Sequence, residues 1–191
     1  MYRTFLHDPK FFRFLAACDE ELAEEARRAG CPHCGGRLHR ADYPRKPRGV
    51  PEQVEAGTVL RRSWCCEREG CRRRTTPASL RFLGRRVYSS VAVIVVGAMD
   101  RTRGAAWRAL IELLGVSERT LRRWRRWWQT TFAASGFWRG IRGLLREAVA
   151  AADLPLALME SFEGSARSRL LALLRLLVPI TGGSPDPVLA P

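Results

Sequence analysis

The sequence predicts a mostly α-helical protein with one small β module pinned by cysteines. Apolar residues recur at helical spacing in the first thirty residues and again beyond residue 105. Four cysteines, Cys31, Cys34, Cys66 and Cys71, form two close pairs separated by about thirty residues rich in turn formers. Near the middle, a Gly115-Val116-Ser117 tripeptide separates two amphipathic stretches.

Residues 1–30 read as an N-terminal helical unit. Within 8–28, Phe11, Phe12, Leu15, Leu22 and Ala26 recur near helical spacing, Asp8-Pro9 suits a start and Gly30 a stop. Cys18 falls on the apolar side, where a free thiol behaves as a small hydrophobe.

Residues 31–86 form the β module, with short strands expected near 37–40, 58–64 and 72–76. Two thiolate pairs supply the four soft ligands of a structural zinc site, so Cys31, Cys34, Cys66 and Cys71 are the metal candidates, holding one zinc ion in a ribbon. Cys31-Pro-His-Cys34-Gly-Gly is a regular half-site; Cys66-Glu-Arg-Glu-Gly-Cys71 leaves four residues between ligands, and Gly70 is expected to take the positive φ of that turn. Cys65 rivals Cys66, but neighbours on a strand face opposite ways, so one of the two reaches the metal and Cys66 is favoured. His33 and His39 are read as solvated turn residues rather than ligands. Buried thiols or disulfides are the competing reading; with no secretory leader evident after Met1, a reducing compartment and zinc are expected instead. The polar loop 42–57, with Pro44, Pro47, Gly49 and Pro51, is expected to be mobile. Its Arg45, Lys46 and Arg48 either touch phosphate or are simply solvated.

Residues 87–135 form the next unit. Val87 to Met99 reads equally well as buried strand or buried helix; its context favours a helix capped by Ser89 or Ser90, the first of three in a bundle. Residues 105–114 are a short amphipathic helix and 118–129 a second. Between them Gly115 permits a left-handed turn, Val116 plugs the joint and Ser117 caps the second helix; these are the parts of a helix-turn-helix. Leu121, Trp124 and Trp128 should face the core. Ser117, Arg119, Thr120, Arg122, Arg123 and Arg126 are then the candidate DNA-binding residues, because a recognition helix offers its first turns to base edges and flanking arginines to phosphates. An ordinary solvated hairpin is the bland alternative. The tryptophans Trp107, Trp124, Trp127 and Trp128 are read as core in preference to stacking platforms.

Helices are expected over 138–152, 154–162 and 165–178 in a C-terminal unit, 136–179. The breadth of leucines around the last suggests burial against another helix, a second subunit or the N-terminal helix. Residues 180–191 are expected to be disordered.

Charge narrows the partner. Residues 61–146 carry 20 arginines against five acids, whereas the remainder is nearly balanced. Thirty-one arginines against two lysines reflect a codon preference, but preference does not explain confinement to one segment. A field so concentrated attracts phosphate backbones, which the planar guanidinium binds bidentately. The longest apolar run there, Val91 to Met99, is too short to span a bilayer, so no membrane partner is expected.

The order of a Cys-x-x-Cys pair, a strand ending in Arg61-Arg62-Ser63-Trp64-Cys65-Cys66, a second pair running into Cys71-Arg72-Arg73-Arg74-Thr75-Thr76-Pro77, and a Gly115-Val116-Ser117 turn resembles the zinc-ribbon and helix-turn-helix DNA-binding part of bacterial insertion-sequence (transposase-related) proteins. The resemblance covers roughly residues 31–130. It implies joint recognition of terminal repeats or operator DNA, with a nuclease domain following or separately encoded. The chain departs from that pattern in its four-residue second knuckle and long loop. Beyond the second helix its acids, Glu147, Asp153, Glu160, Glu163 and Asp186, lack the strand pattern that converges carboxylates on magnesium. No nucleophile triad, phosphate loop or HExxH motif appears. The expectation is therefore a binder rather than an enzyme: a cytoplasmic, nucleoid-associated bacterial protein of mobile-element or regulatory type, partnered by duplex DNA and by a second copy of itself or a separate transposase. RNA or ribosome binding is the alternative, and a DNA-cutting transposase remnant a third.

Overall fold

The computed structural model describes residues 1–42, 47–54, 59–83, 87–99 and 104–182. The described chain is mostly helical, with two small antiparallel sheets. After a 3-10 turn at Tyr2–His7, helix α1 spans Pro9–Ala29. The Asp8 carboxylate accepts from the amides of Lys10 (2.9 Å) and Phe11 (3.1 Å), satisfying two of the free donors at the helix start, and Pro9 occupies the first turn. Gly30, at φ +80°, ends it.

α1 serves two cores. Phe11, Phe12 and Leu15 enter a large cluster that runs from Leu6 to Ile180, whereas Ala23 joins a small one with Cys31, Leu38, Trp64 and Cys66. The large cluster crosses the divisions at residues 30, 87 and 135, so packing there does not follow the sequence-based units.

The small core is roofed by a sheet of β1 (Leu38–Arg40), β2 (Trp64–Cys66) and β3 (Arg74–Thr75), with Leu38 opposite Cys66 and Trp64 opposite Thr75. The first and last strands fall where expected. The middle one begins at Trp64, with no strand over 59–63, where the buried Arg61 instead donates to the Thr181 carbonyl (2.8 Å); Cys66 at its end is carried inward. A second hairpin, β4 (Phe82–Leu83) and β5 (Tyr88–Ser89), was not anticipated. The loop expected to be mobile is docked where it is described: the Arg48 amide donates to Val87 O (3.2 Å) and the Ser89 amide to Arg48 O (2.9 Å). Arg45 and Lys46 lie outside the described residues.

The ambiguous apolar run is helix α2, Ser90–Gly97, buried at every position, and Ser89 is its cap, accepting from the Ala92 amide at 3.3 Å. Helices α3 (Ala105–Leu114) and α4 (Glu118–Trp127) come next, joined at Gly115, whose φ of +56° is the left-handed conformation expected of it. α4 runs on into one π turn, Trp128–Phe132, whose Trp128 indole donates to Val93 O on α2 (3.1 Å).

The C-terminal third departs most from expectation. Instead of a helix over 138–152 there is a short α5, Gly136–Ile141, then 3-10 turns at Arg142–Leu144 and Ala151–Asp153. Gly140 and Gly143 each weaken a helix by about 1 kcal/mol relative to alanine, and few of the side chains between 142 and 153 are buried to offset that. α6 (Leu156–Glu160) and α7 (Ala166–Leu177) complete the core. The buried face of α7, Leu170, Leu173, Leu174 and Leu177, is covered by α6 and the N-terminal turn, and Arg167 lies over the rings of Phe11 (5.3 Å) and Phe14 (5.5 Å) of α1. Its leucines are thus used within the chain. Of the tail expected to be disordered, residues 180–182 are instead part of the fold: Ile180 ends a 3-10 turn, and the buried Thr181 accepts from the Arg61 guanidinium and the Ser79 amide (2.8 Å each); residues 183–191 lie outside the described residues. Among the described residues no helix is long and apolar enough to cross a membrane.

Candidate metal centre and arginine face

The first cysteine pair is held by a tight turn in which the Gly35 amide donates to Cys31 O (2.8 Å) and the Cys31 amide to Gly36 O (2.8 Å). Gly36 leaves little room for a side chain: a Cβ there would stand 3.0 Å from Cys66 Sγ and 3.3 Å from Cys34 Sγ. The second pair closes on the Arg68 carbonyl, which accepts from Cys71 (2.9 Å) and Arg72 (3.0 Å). The positive φ of that turn, +42°, falls on Arg72 and not on Gly70 as the sequence suggested.

The four predicted sulfurs lie within 4.8 Å of one another, with Cys31–Cys71 at 3.7 Å and Cys34–Cys66 at 3.5 Å. A disulfide would need about 2.0 Å. Tetrahedral ligation with metal–sulfur bonds of about 2.3 Å sets neighbouring sulfurs about 3.8 Å apart, so the donor set and its spacing fit one thiophilic ion. The cluster can therefore hold a metal through Cys31, Cys34, Cys66 and Cys71. Cys65 is turned away, donating to Arg72 O at 3.5 Å. Neither histidine takes part: His33 pairs with Arg73 (3.1 Å) and His39 with Glu67 (2.7 Å).

The protein environment divides the thiols. The His33 amide, with the Cys34 amide and neighbouring thiols, draws Cys31 down to about 7 against the effect of burial. Burial drives Cys66 up to about 12. Amides at the first turn thus favour thiolate, as expected for a site made to carry negative sulfur.

Trp64 ties this module to α1, donating from its indole to Ala23 O (3.0 Å). One turn earlier lies a constellation that sequence reasoning missed. Asp19, 2% exposed, accepts from Ser79 Oγ (2.5 Å), the Leu80 amide (2.6 Å) and Arg81 Nε (2.8 Å). The signal was present: Phe11, Leu15, Asp19 and Ala23 are spaced by four, which places a carboxylate on the apolar stripe of the helix.

The second candidate site is the outer face of α4. Ser117 caps the helix, with its Oγ 3.4 Å from the Thr120 amide and 3.2 Å from Thr120 Oγ1. Leu121 and Trp124 are wholly buried on one side. Arg119, Arg122, Arg123 and Arg126 are exposed on the other. Thr120, grouped with them from sequence, turns inward and is 8% exposed, so it belongs to the packing of the turn.

The arginines are not equivalent. Arg122 is paired with Glu118 (2.5 Å) along the helix. Arg123 donates to the hydroxyl of the buried Tyr88 at 2.6 Å. Arg119 and Arg126 have no ion pair among the described residues. Trp107, Trp124, Trp127 and Trp128 are each at most 3% exposed, which removes them as base-stacking platforms.

No family model, curated protein or solved structure compared with this chain matches it. Function must therefore be argued from the two sites alone. One offers four thiolates to a soft cation. The other offers a row of exposed guanidinium groups on a helix whose opposite face is buried in the core.

Proposed function

We propose that this protein binds duplex DNA, with α3 and α4 acting as a helix-turn-helix whose second helix enters the major groove, and with the cysteine module acting as a zinc ribbon. The carrying observation is the division of α4 into a buried face of Leu121, Trp124 and Trp127 and an outward face of Arg119, Arg122, Arg123 and Arg126. A ten-residue helix fits the groove, and guanidinium groups there pair with guanine edges or flanking phosphates. Zinc is the ion because an all-cysteine set near tetrahedral spacing is its usual structural site. Bound there it supplies cross-linking of the two turns, which keeps β1–β3 and the exposed Arg72, Arg73 and Arg74 in place beside the duplex. Insertion-sequence DNA-binding proteins, which the motif order resembles, combine the same two parts.

Structured RNA is the rival ligand, since phosphate attraction does not discriminate. Burial of the tryptophans favours the duplex, because single-stranded RNA is read chiefly by stacking. A zinc-loaded preparation challenged at matched salt with labelled duplex DNA and an unlabelled structured RNA tests the proposal. Retention of DNA against equimolar RNA is expected; complete displacement would transfer the assignment to RNA.

A further inference from the structure

The segment 47–50 is separated from α4 by more than sixty residues, yet it is built onto it. Arg48 is bridged to Tyr88 in parallel register, its amide and carbonyl both engaged with the Val87–Ser89 backbone. Gly49, at φ +75°, lies so close to α4 that a Cβ would fall 2.6 Å from Cη2 of Trp124 and 3.2 Å from Ala92 Cβ. Only glycine fits there, in conformation and in space. The Arg48 side chain is exposed and has no ion pair among the described residues.

Tyr88 is the shared support. The backbone groups on either side of it, Val87 O and Ser89 N–H, hold the Arg48 backbone, its buried ring stands edge-on to Trp124 (centroids 5.4 Å apart), and its hydroxyl accepts from Arg123 Nη2 at 2.6 Å. The Arg123 guanidinium also sits 5.4 Å from the Tyr88 ring centroid. The Arg123 guanidinium and the Arg48 backbone, from distant parts of the sequence, are thereby held around one tyrosine, at the edge of a face rich in arginine. Neither Arg48 nor Arg123 has an ion pair among the described residues, and Glu118 is paired with Arg122.

We infer that Arg48 and Arg123 form a two-arginine phosphate clamp supported by Tyr88, gripping the backbone of the same duplex that α4 reads. This rests on the DNA-binding proposal and adds to it a contact outside the helix-turn-helix. Fixing the guanidinium before binding removes part of the ordering cost of the contact. Arg48 and Arg123 are then positioning contacts to the backbone, leaving Arg119 and Arg126 for the groove. Tyr88 acts through Arg123.

The test is a salt titration of binding to a mixed-sequence duplex oligonucleotide. Each lost phosphate contact lowers the magnitude of the log–log slope by about 0.9. R48A and R123A should each show that decrease and the double variant about twice it. R48A alters an exposed side chain, so its folding serves as its own control by thermal midpoint. Y88F should weaken binding in the otherwise native chain and have no effect on top of R123A, whereas a purely structural tyrosine would cost the same in both backgrounds. A native slope for R48A, with wild-type protein binding the duplex, overturns the clamp while leaving α4 as the reader. No duplex binding by wild type would instead remove the DNA proposal itself.

Discussion

Gly36 and Gly49 show how much of this molecule depends on missing side chains. The first leaves room for two sulfurs, the second for the edge of Trp124. Both are inconspicuous in sequence, one just after a knuckle and the other inside a polar loop. Replacing Gly49 by alanine must push against a wholly buried tryptophan while holding a left-handed φ, and overpacking of this kind costs about 1–3 kcal/mol. A G49A variant should lose that much in chemical denaturation; unchanged stability would mean the loop does not pack on α4. Residue chemistry was the most legible level: strand alternation alone limits the ligand to one of Cys65 and Cys66, and the structure places Cys66 with the other three sulfurs. Arg72, by contrast, adopts the strained turn conformation that glycine preference assigned to Gly70, because the turn is fixed by amides closing on Arg68 rather than by local propensity.

Among elements, α1, α3 and the start of α4 were readable because caps and periodicity agreed. Asp8, Ser117 and Gly115 mark their ends in sequence and in structure. The strand at Trp64 and the β4–β5 hairpin were not, since two- and three-residue strands carry too little alternation to register. The expected helix at 138–152 failed where glycines met an unburied stretch. For the cysteine module, pH dependence arises from its thiols. Metal-bound sulfur is thiolate, while in the metal-free fold burial holds Cys66 near 12 and Cys31 lies near 7. Metal uptake therefore expels protons, and affinity rises with pH. Zinc release monitored with a chromogenic chelator should increase steadily as pH falls from about 7 to 5; a pH-independent affinity would exclude an all-thiolate site. A thiol held above its ordinary value supports the metal-free fold only while protonated, so that form should also lose stability as pH climbs from 9 toward 12.

Across the whole molecule α1 is the strut between metal module and helical core, with Trp64 and Asp19 as its fastenings. Neither fastening is visible in motifs, because each joins residues more than forty positions apart. D19N keeps the shape of the side chain and removes its charge beside the buried Arg81. Breaking a buried pair costs about 3–5 kcal/mol. A loss in that range, with increased hydrogen exchange at residues 79–83, is expected, and native exchange there would show the network to be dispensable. The measurement that bears on the proposed function as a whole is the affinity and sequence discrimination of duplex binding, at matched salt, by zinc-loaded wild type and by R119A/R126A, which removes two exposed arginines of α4 that have no ion pair among the described residues. Direct engagement of the groove by these two side chains weakens binding and reduces discrimination between duplex sequences. Unchanged affinity and unchanged discrimination would mean that Arg119 and Arg126 do not read the duplex, and would contradict the groove assignment of α4.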